Sequence, residues 1–293
     1  MEGTFMNTKS KGILAVIVSA TIFGSMPLMA KFVYESGGNA TSLAFLRFLL
    51  ILPFLYLLIK KDGKETLKIE KEEFKKITLV ATLGYGATAL LLYLSYNYIP
   101  SGMATTIHFI YPVFVILGCI LFFKEKPSIP KLIAVILCLF GVLMFFDGKG
   151  NTDFTGIFLS FMSSITFAFY TVYLDKSDLK KISTIKLTFY LCLIAAIMML
   201  IFSLITKTFV INMKPLGWIM ALLLSLSVGF GVTLFQFGIK AIGPQNTSIL
   251  STFEPITSVI IGVLLLDESF GIKTFLGILF ILLGVIIISF FEK

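Results

Sequence analysis

Charge is scarce in this 293-residue chain. Only 14% of its residues are Asp, Glu, Lys or Arg, against about 25% in an ordinary globular domain, and most of them fall in short clusters. So little charge does not suit a soluble globular fold. Histidine occurs once, as His108, and cysteine three times, as Cys119, Cys138 and Cys192. All three thiols lie inside apolar runs, away from loops where disulfides would form, so they read as small packing residues. One histidine with no Cys cluster beside it argues against a metal site. The lack of a nucleophile or a paired acid and base argues against a membrane-embedded enzyme, so neither catalytic residues nor cofactors are expected. The Gly-rich loop ending in Lys-Ser/Thr that cradles nucleotide phosphates is missing, so nucleotide does not power the chain. The formal charge of +8 is spread over short connections and forms no basic patch on a soluble fold, which speaks against a nucleic acid as partner. No stretch is long enough for a separate soluble domain.

What the chain has in abundance is apolar sequence: 57% of residues are hydrophobic and the mean hydropathy is +0.99. An apolar stretch of roughly 20 residues spans the hydrocarbon layer, and such runs occur at about 11–34, 41–59, 77–98, 102–123, 131–146, 154–174, 184–206, 216–239, 246–266 and 272–291. They are continuous rather than alternating, which excludes a β-barrel. The expected fold is an all-α polytopic membrane protein with ten transmembrane helices. Lys9 and Lys11 ahead of the first run imitate a signal peptide, but the run continues past Pro27 to Tyr34 and reads as an uncleaved first span. Lysines then set the direction. The N-terminal tail, the even-numbered connections and the C-terminal tail hold 17 of them: Lys9, Lys11, the seven between Lys60 and Lys76, Lys124, Lys126, Lys131, Lys176, Lys180, Lys181, Lys240 and Lys293. The odd connections hold 4: Lys149, Lys207, Lys214 and Lys273. By the positive-inside rule both termini are cytoplasmic, in a multi-pass protein of the cell membrane. In the longest connection, Leu67, Ile69 and Phe74 suit either a short interfacial helix or a solvated charged linker.

Two rare landmarks recur at one distance. Pro112, Glu125 and Gly141 are followed 143 positions later by Pro255, Glu268 and Gly284. Residues 99–146 and 242–289 share 8 of 48 identities at that offset, and Gly12, Ser19 and Phe23 echo Gly156, Ser163 and Phe167. The chain is a duplication of residues 11–146 and 154–291. Five spans per half is an odd number, so the second half enters the membrane upside down. Inverted five-helix repeats are the plan of many secondary transporters, whose halves meet around a site near the midplane. A small-molecule solute and the lipid bilayer are the partners this implies. A passive facilitator or channel is the alternative, disfavoured by the scarcity of pore-lining charge.

The segment from Tyr111-Pro112 through Glu125 to Gly141, with its echo from Glu254-Pro255 through Glu268 to Gly284, resembles the paired EamA-type repeats of the drug/metabolite transporter superfamily. Phe23-Gly24, Leu46-Arg47-Phe48 and Tyr96-Asn97-Tyr98-Ile99-Pro100 resemble that family's other landmarks, and the likeness covers nearly the whole chain. It implies a ten-helix carrier, an exporter of amino acids or other small metabolites working by alternating access, with protons as a possible coupling ion. If the family arrangement holds, Tyr85, Tyr93, Tyr96, Tyr170 and Gln236 line the cavity. His108 and Tyr111 match no substrate class of the family.

Polar groups inside the spans carry the remaining information. Glu254 stands midway along span nine, where a carboxylate costs several kcal/mol, roughly 2.5–3.5 on insertion scales. It reads either as a group for protons or a substrate amine, or as a brace for backbone freed by Pro255. His108 and Tyr111 are three apart and share a helix face; at offset 143 they correspond to Ser251 and Glu254. The symmetry thus breaks at positions facing one plausible cavity. His108 is either a proton relay or an interhelical hydrogen-bond partner. Arg47, a turn or two inside span two, either binds a substrate carboxylate or makes a structural salt link, and Lys31 snorkels. Glu125 and Glu268 are expected to bond helix ends. Gly84, Gly86, Gly229 and Gly231 suit close helix contact and bending.

Overall fold

The computed structural model describes residues 7–62, 66–99, 101–126, 128–144, 153–265 and 271–291; Glu268 lies outside them. The described residues form ten helical rods. We label them α1 (Thr8–Glu35), α2 (Ala40–Leu49 with Leu52–Asp62), α3 (Lys71–Ser95), α4 (Ser101–His108 with Tyr111–Phe123), α5 (Ile129–Met144), α6 (Phe154–Lys176) and α7 (Thr184–Ile205). Helix Pro215–Leu250 is two helices joined at Gly243, whose φ of 80° breaks the run. Residues 215–242 are α8; residues 244–250 with Phe253–Leu265 are α9, and Ile272–Phe291 is α10. A left-handed φ strains any side chain but not glycine, and Pro244 cannot continue the preceding helix, so Gly243-Pro244 turns the chain. Asn39 and Asp153 cap α2 and α6 by accepting from Ser42 N at 2.9 Å and Thr155 N at 2.7 Å.

The helix pairings repeat with a period of five. α1 packs on α8 and α9, and α6 packs on α3 and α4; α2 lies on α7, and α5 lies on α10. Residues 143 apart meet in reciprocal contacts. A Cβ on Gly141 would come within 2.6 Å of Gly277 O, and one on Gly284 within 2.9 Å of Ala134 O, its counterpart contact. Small residues let these backbones approach, as packing inside a bilayer requires.

The connections divide cleanly between the two ends of the bundle. At one end Lys214 N donates to Ser36 O at 3.0 Å, and Asn39 Nδ2 donates to Thr208 O at 2.7 Å, joining the α1–α2 and α7–α8 connections. At the other end Lys76 pairs with Asp178 at 2.7 Å, and Glu125 takes Lys176 and Gln245. Lys76 and Lys181 hold the Asp178 carboxyl down to about 2 by charge-assisted hydrogen bonds. Among the described residues, the α1–α2 and α7–α8 connections thus meet at one end and the α4–α5, α6–α7 and α8–α9 connections lie at the other.

For the connection between α2 and α3 the sequence left two readings open. Leu67, Ile69 and Phe74 form no separate interfacial helix. Helix begins only at Lys71 and runs on into α3, while Leu67 O accepts from Tyr190 Oη at 2.5 Å and Ile69 packs on the core. This bond ties the segment to α7. Cys119, Cys138 and Cys192 are free and buried, as their apolar settings suggested.

Candidate functional site

Four helices depart from regular α geometry, and Arg47, Tyr85, His108, Tyr111, Ser251 and Glu254 sit at or beside these departures. α2 breaks at Leu50-Ile51, just before Pro53. This frees the carbonyl of Arg47, which accepts from Ser225 Oγ of α8 at 2.8 Å. α4 breaks at Phe109-Ile110 before Pro112, and α9 breaks at Ser251-Thr252 before Pro255. Proline forces each break because its ring clashes with the carbonyl four residues back. Non-helical backbone survives at membrane depth only where buried groups satisfy it. In α9 the Ser248 carbonyl accepts from Ser251 Oγ at 2.8 Å and from Tyr111 Oη of α4 at 3.3 Å. The fourth departure is a π-helical turn over Val80–Gly86 of α3, which re-aims Tyr85. Such turns concentrate at functional sites, and no local sequence signal announces this one.

The pairs where the repeat symmetry breaks do meet across the midline, but in two groups. Tyr111 Oη hydrogen-bonds Ser251 Oγ. The His108 ring lies 5.5 Å from that of Tyr111 and 5.4 Å from that of Phe167, with Nδ1 2.9 Å from Ser163 Oγ of α6. Both side chains are buried. Glu254 starts the second segment of α9 and stays partly accessible; its side chain has no hydrogen bond or ion pair among the described residues.

Arg47 anchors the second group. Its Nη1 donates to Tyr93 Oη, and its guanidinium lies 4.9 Å from the Phe48 ring centre and 5.5 Å from that of Tyr93. Tyr96 packs edge-on against Tyr93 at 5.7 Å. Arg47, Tyr93, Tyr96 and Glu254 are all half-buried, and Tyr34, exposed at the end of α1, lies within electrostatic range of Tyr93, Tyr96 and Arg47. Arg47 in turn is the charge that acts on Glu254. Tyr34, Tyr93, Tyr96, Arg47 and Glu254 thus form a shelf of partly exposed side chains. Arg47 makes no salt link among the described residues.

Behind Arg47 the site is lined by aromatic rings. The Tyr85 and Tyr170 rings stand 5.5 Å apart, Phe235 stacks on Tyr170 at 6.3 Å, and Gln236 Nε2 donates to Thr188 Oγ1 at 3.1 Å. Gly84 makes this closeness possible, since a Cβ there would fall 2.9 Å from Tyr170 Cβ. The opposite end of the bundle is shut by Glu125. It bonds Lys176 of α6 and accepts from Gln245 Nε2 of the α8–α9 turn at 2.5 Å, while Lys240 Nζ donates to Ile182 O. Glu125 thus bonds across three helices, more than the helix-end role expected of it. Among the described residues no cluster of His, Cys, Asp and Glu could hold a metal.

Comparison with known proteins bears on this geometry. The profile of the EamA-like transporter family matches residues 10–146 and again 154–290. The chain belongs to the EamA-like transporter family. An uncharacterized transporter of Synechocystis sp. is 25% identical over 97% of this chain and 94% of its own length. The uncharacterized inner membrane transporter YicL of Salmonella typhimurium is also 25% identical, over 97% of each chain. A crystal structure with 13% identity superposes with a TM-score of 0.83 over 95% of this chain and 96% of its own, so the two share a fold.

Proposed function

We propose that this EamA-family protein is a secondary active carrier that exports small, amino-acid-like organic metabolites across the cell membrane by alternating access, coupled to protons through Glu254. The observation that carries this reading is the pairing of Arg47 and Glu254. They belong to different halves and would carry opposite charge when both are ionised, and Arg47 bears electrostatically on Glu254, yet no ion pair joins them among the described residues. Each ionised group inside a membrane costs about 2.5–3.5 kcal/mol, a cost their direct contact would reduce. Holding them apart makes sense when a third, zwitterionic body fits between them. The lysine bias puts both termini and the Glu125 end in the cytoplasm, so the shelf at Tyr34 faces outward and the Glu125–Lys176–Gln245 cluster closes the inner end.

Glu254→Gln in proteoliposomes tests the coupling role. The variant is expected to keep substrate exchange and lose accumulation driven by a pH gradient. Undiminished gradient-driven accumulation would remove Glu254 from that role.

A further inference from the structure

The break in α2 that frees the Arg47 carbonyl also opens a groove on the outside of the bundle. The helix is interrupted at Leu50-Ile51, and Ile51 is fully buried against Gly229 of α8, where a Cβ would have no room. Beside it α2 and α7 stand apart around about 460 Å³, lined by Leu49, Leu50, Leu52, Pro53, Tyr56 and Phe189. That volume matches a small-molecule site, about 300–1,000 Å³. Every lining side chain but the Tyr56 hydroxyl is apolar. Leu49 is 37% exposed and Tyr56 44%, so the groove opens to the bilayer and not to the interior.

Lysines stand at one end of it. Lys60 follows Tyr56 by one turn of α2, and Lys186 precedes Phe189 by one turn of α7, so each shares the face that lines the groove. Leu58 and Ile185, close to these lysines in sequence, line one small cavity of about 80 Å³, which sets the two lysine-bearing turns side by side. Lys186 Nζ donates to Lys68 O at 2.5 Å, which brings Lys68 to the same mouth. Across the bundle Lys75, Lys76, Lys180 and Lys181 each pair with a carboxylate. Among the described residues Lys60, Lys61 and Lys186 pair with none. Glu72 is taken by Lys75, and Glu73 accepts from Glu70 N. An apolar groove thus ends in uncompensated positive charge.

We propose that this groove holds an acyl chain of an anionic phospholipid, whose phosphate lies between Lys60 and Lys186. The dimensions suit one leaflet: at about 1.5 Å per residue the stretch from Leu49 to Lys60 covers about 16 Å, half of a hydrocarbon layer of about 30 Å. The lysine bias assigns this end to the cytoplasm, where the leaflet carries anionic lipid and each nearby basic residue favours it about fivefold. A zwitterionic lipid would fill the groove equally well but leave the lysines uncompensated, so headgroup charge selects the occupant. The chain seats against the interruption of α2, the helix that carries Arg47. Lipid binding here is independent of which solute is carried.

The test uses the full-length protein in phosphatidylcholine vesicles. Trp218, the one native tryptophan, is replaced by Phe, and Tyr56→Trp puts a reporter in the groove. Dibrominated phosphatidylglycerol and dibrominated phosphatidylcholine are then compared as quenchers of the introduced indole. Half-maximal quenching should need about fivefold less of the anionic lipid. Lys60→Gln combined with Lys186→Gln should erase that preference without lowering the melting temperature, since exposed substitutions of this kind are nearly neutral. Leu49→Trp, on the same wall, is a second reporter and should show the same preference. Leu121→Trp on α4, 69% exposed and close to Lys124, reports general attraction of anionic lipid to the lysine-rich edge and should show less than a twofold preference. Equal quenching by the two lipids in the groove, an equal preference at Leu121→Trp, or a preference that survives loss of both lysines would overturn the site. Reversal of quenching by 10 mM glycerol 3-phosphate would also overturn it, because the lysines would then be reading a soluble phosphate and not a lipid.

Discussion

Replacing Gly84 by alanine should damage both the packing and the chemistry of the site. The new Cβ would lie 2.9 Å from Tyr170 Cβ and 3.2 Å from Tyr170 Cα. Carbon atoms prefer a separation of about 3.5–4.0 Å, so α3 and α6 must part by several tenths of an ångström. The obstructing atoms belong to the start of a buried side chain and to backbone, not to a flexible tip, so they cannot swing aside. Overpacking of this kind costs about 1–3 kcal/mol, and the better helix propensity of alanine returns about 0.5–1. The net expectation is a loss of about 1–2 kcal/mol. Because the displacement separates Tyr85 from Tyr170, substrate affinity should fall as well. Gly118→Ala is the control, since its Cβ would meet only Val172 Cγ2, at an ordinary 3.7 Å. Melting is read with a maleimide dye that lights up as the three buried cysteines become exposed. Gly84→Ala should melt several degrees below wild type and Gly118→Ala at or above it. If Gly84→Ala melts with its control, the close α3–α6 approach is not what shapes the site.

Three other outcomes follow from the same contacts. Cys119 lies buried behind the Glu125–Gln245 bond, so Lys176→Ala should raise its labelling by a permeant maleimide in a background lacking Cys138 and Cys192. The pair is only part-buried, at 25% and 33% side-chain exposure; such pairs contribute about 0.2–1 kcal/mol, so roughly a twofold increase is expected, and an unchanged rate would deny that this cluster closes the inner end. Gly243→Ala should cost about 1–2 kcal/mol at its φ of 80°, read as a lower melting temperature; a neutral result would mean that the α8–α9 turn relaxes freely. The Asp178 carboxyl, held at about 2, lies below its ordinary value, so its pairing with Lys76 persists as pH falls through 4 and weakens only near 2. A pH profile of transport between 5 and 8 should therefore be unchanged in Asp178→Asn.

Much of the fold was legible because hydropathy and lysine placement act over whole helices, where single errors average out. The breaks in α4 and α9 were also foreseeable, since Pro112 and Pro255 stand in matched positions with polar neighbours. The offset of 143 picked out Tyr111 and Ser251, which do bond. It gave no warning that His108, whose ring lies 5.5 Å from that of Tyr111, would bond Ser163 of α6. Nor could sequence show that Glu125 reaches Lys176 and Gln245, because those contacts depend on how helices distant in the chain converge. Arg47 was visible as a charge out of place, but its phenol partners became a group only through the π-helical turn at Tyr85, which leaves no periodic signature. The choice between an interfacial helix and a charged linker for the α2–α3 connection was not legible for a related reason: residues 66–70 are non-helical and take tertiary bonds from Tyr190 and Lys186, while helix resumes at Lys71.

The central claim is that two inverted halves carry a small organic solute past Arg47 and Glu254 by exposing it to one side at a time. Counterflow tests it most directly. Proteoliposomes holding the purified chain are loaded with unlabelled amino acids and diluted into trace labelled ones. The account predicts saturable, transient accumulation of label above its equilibrium level, abolished in Arg47→Ala. Flux that rises linearly with concentration and never overshoots would contradict it.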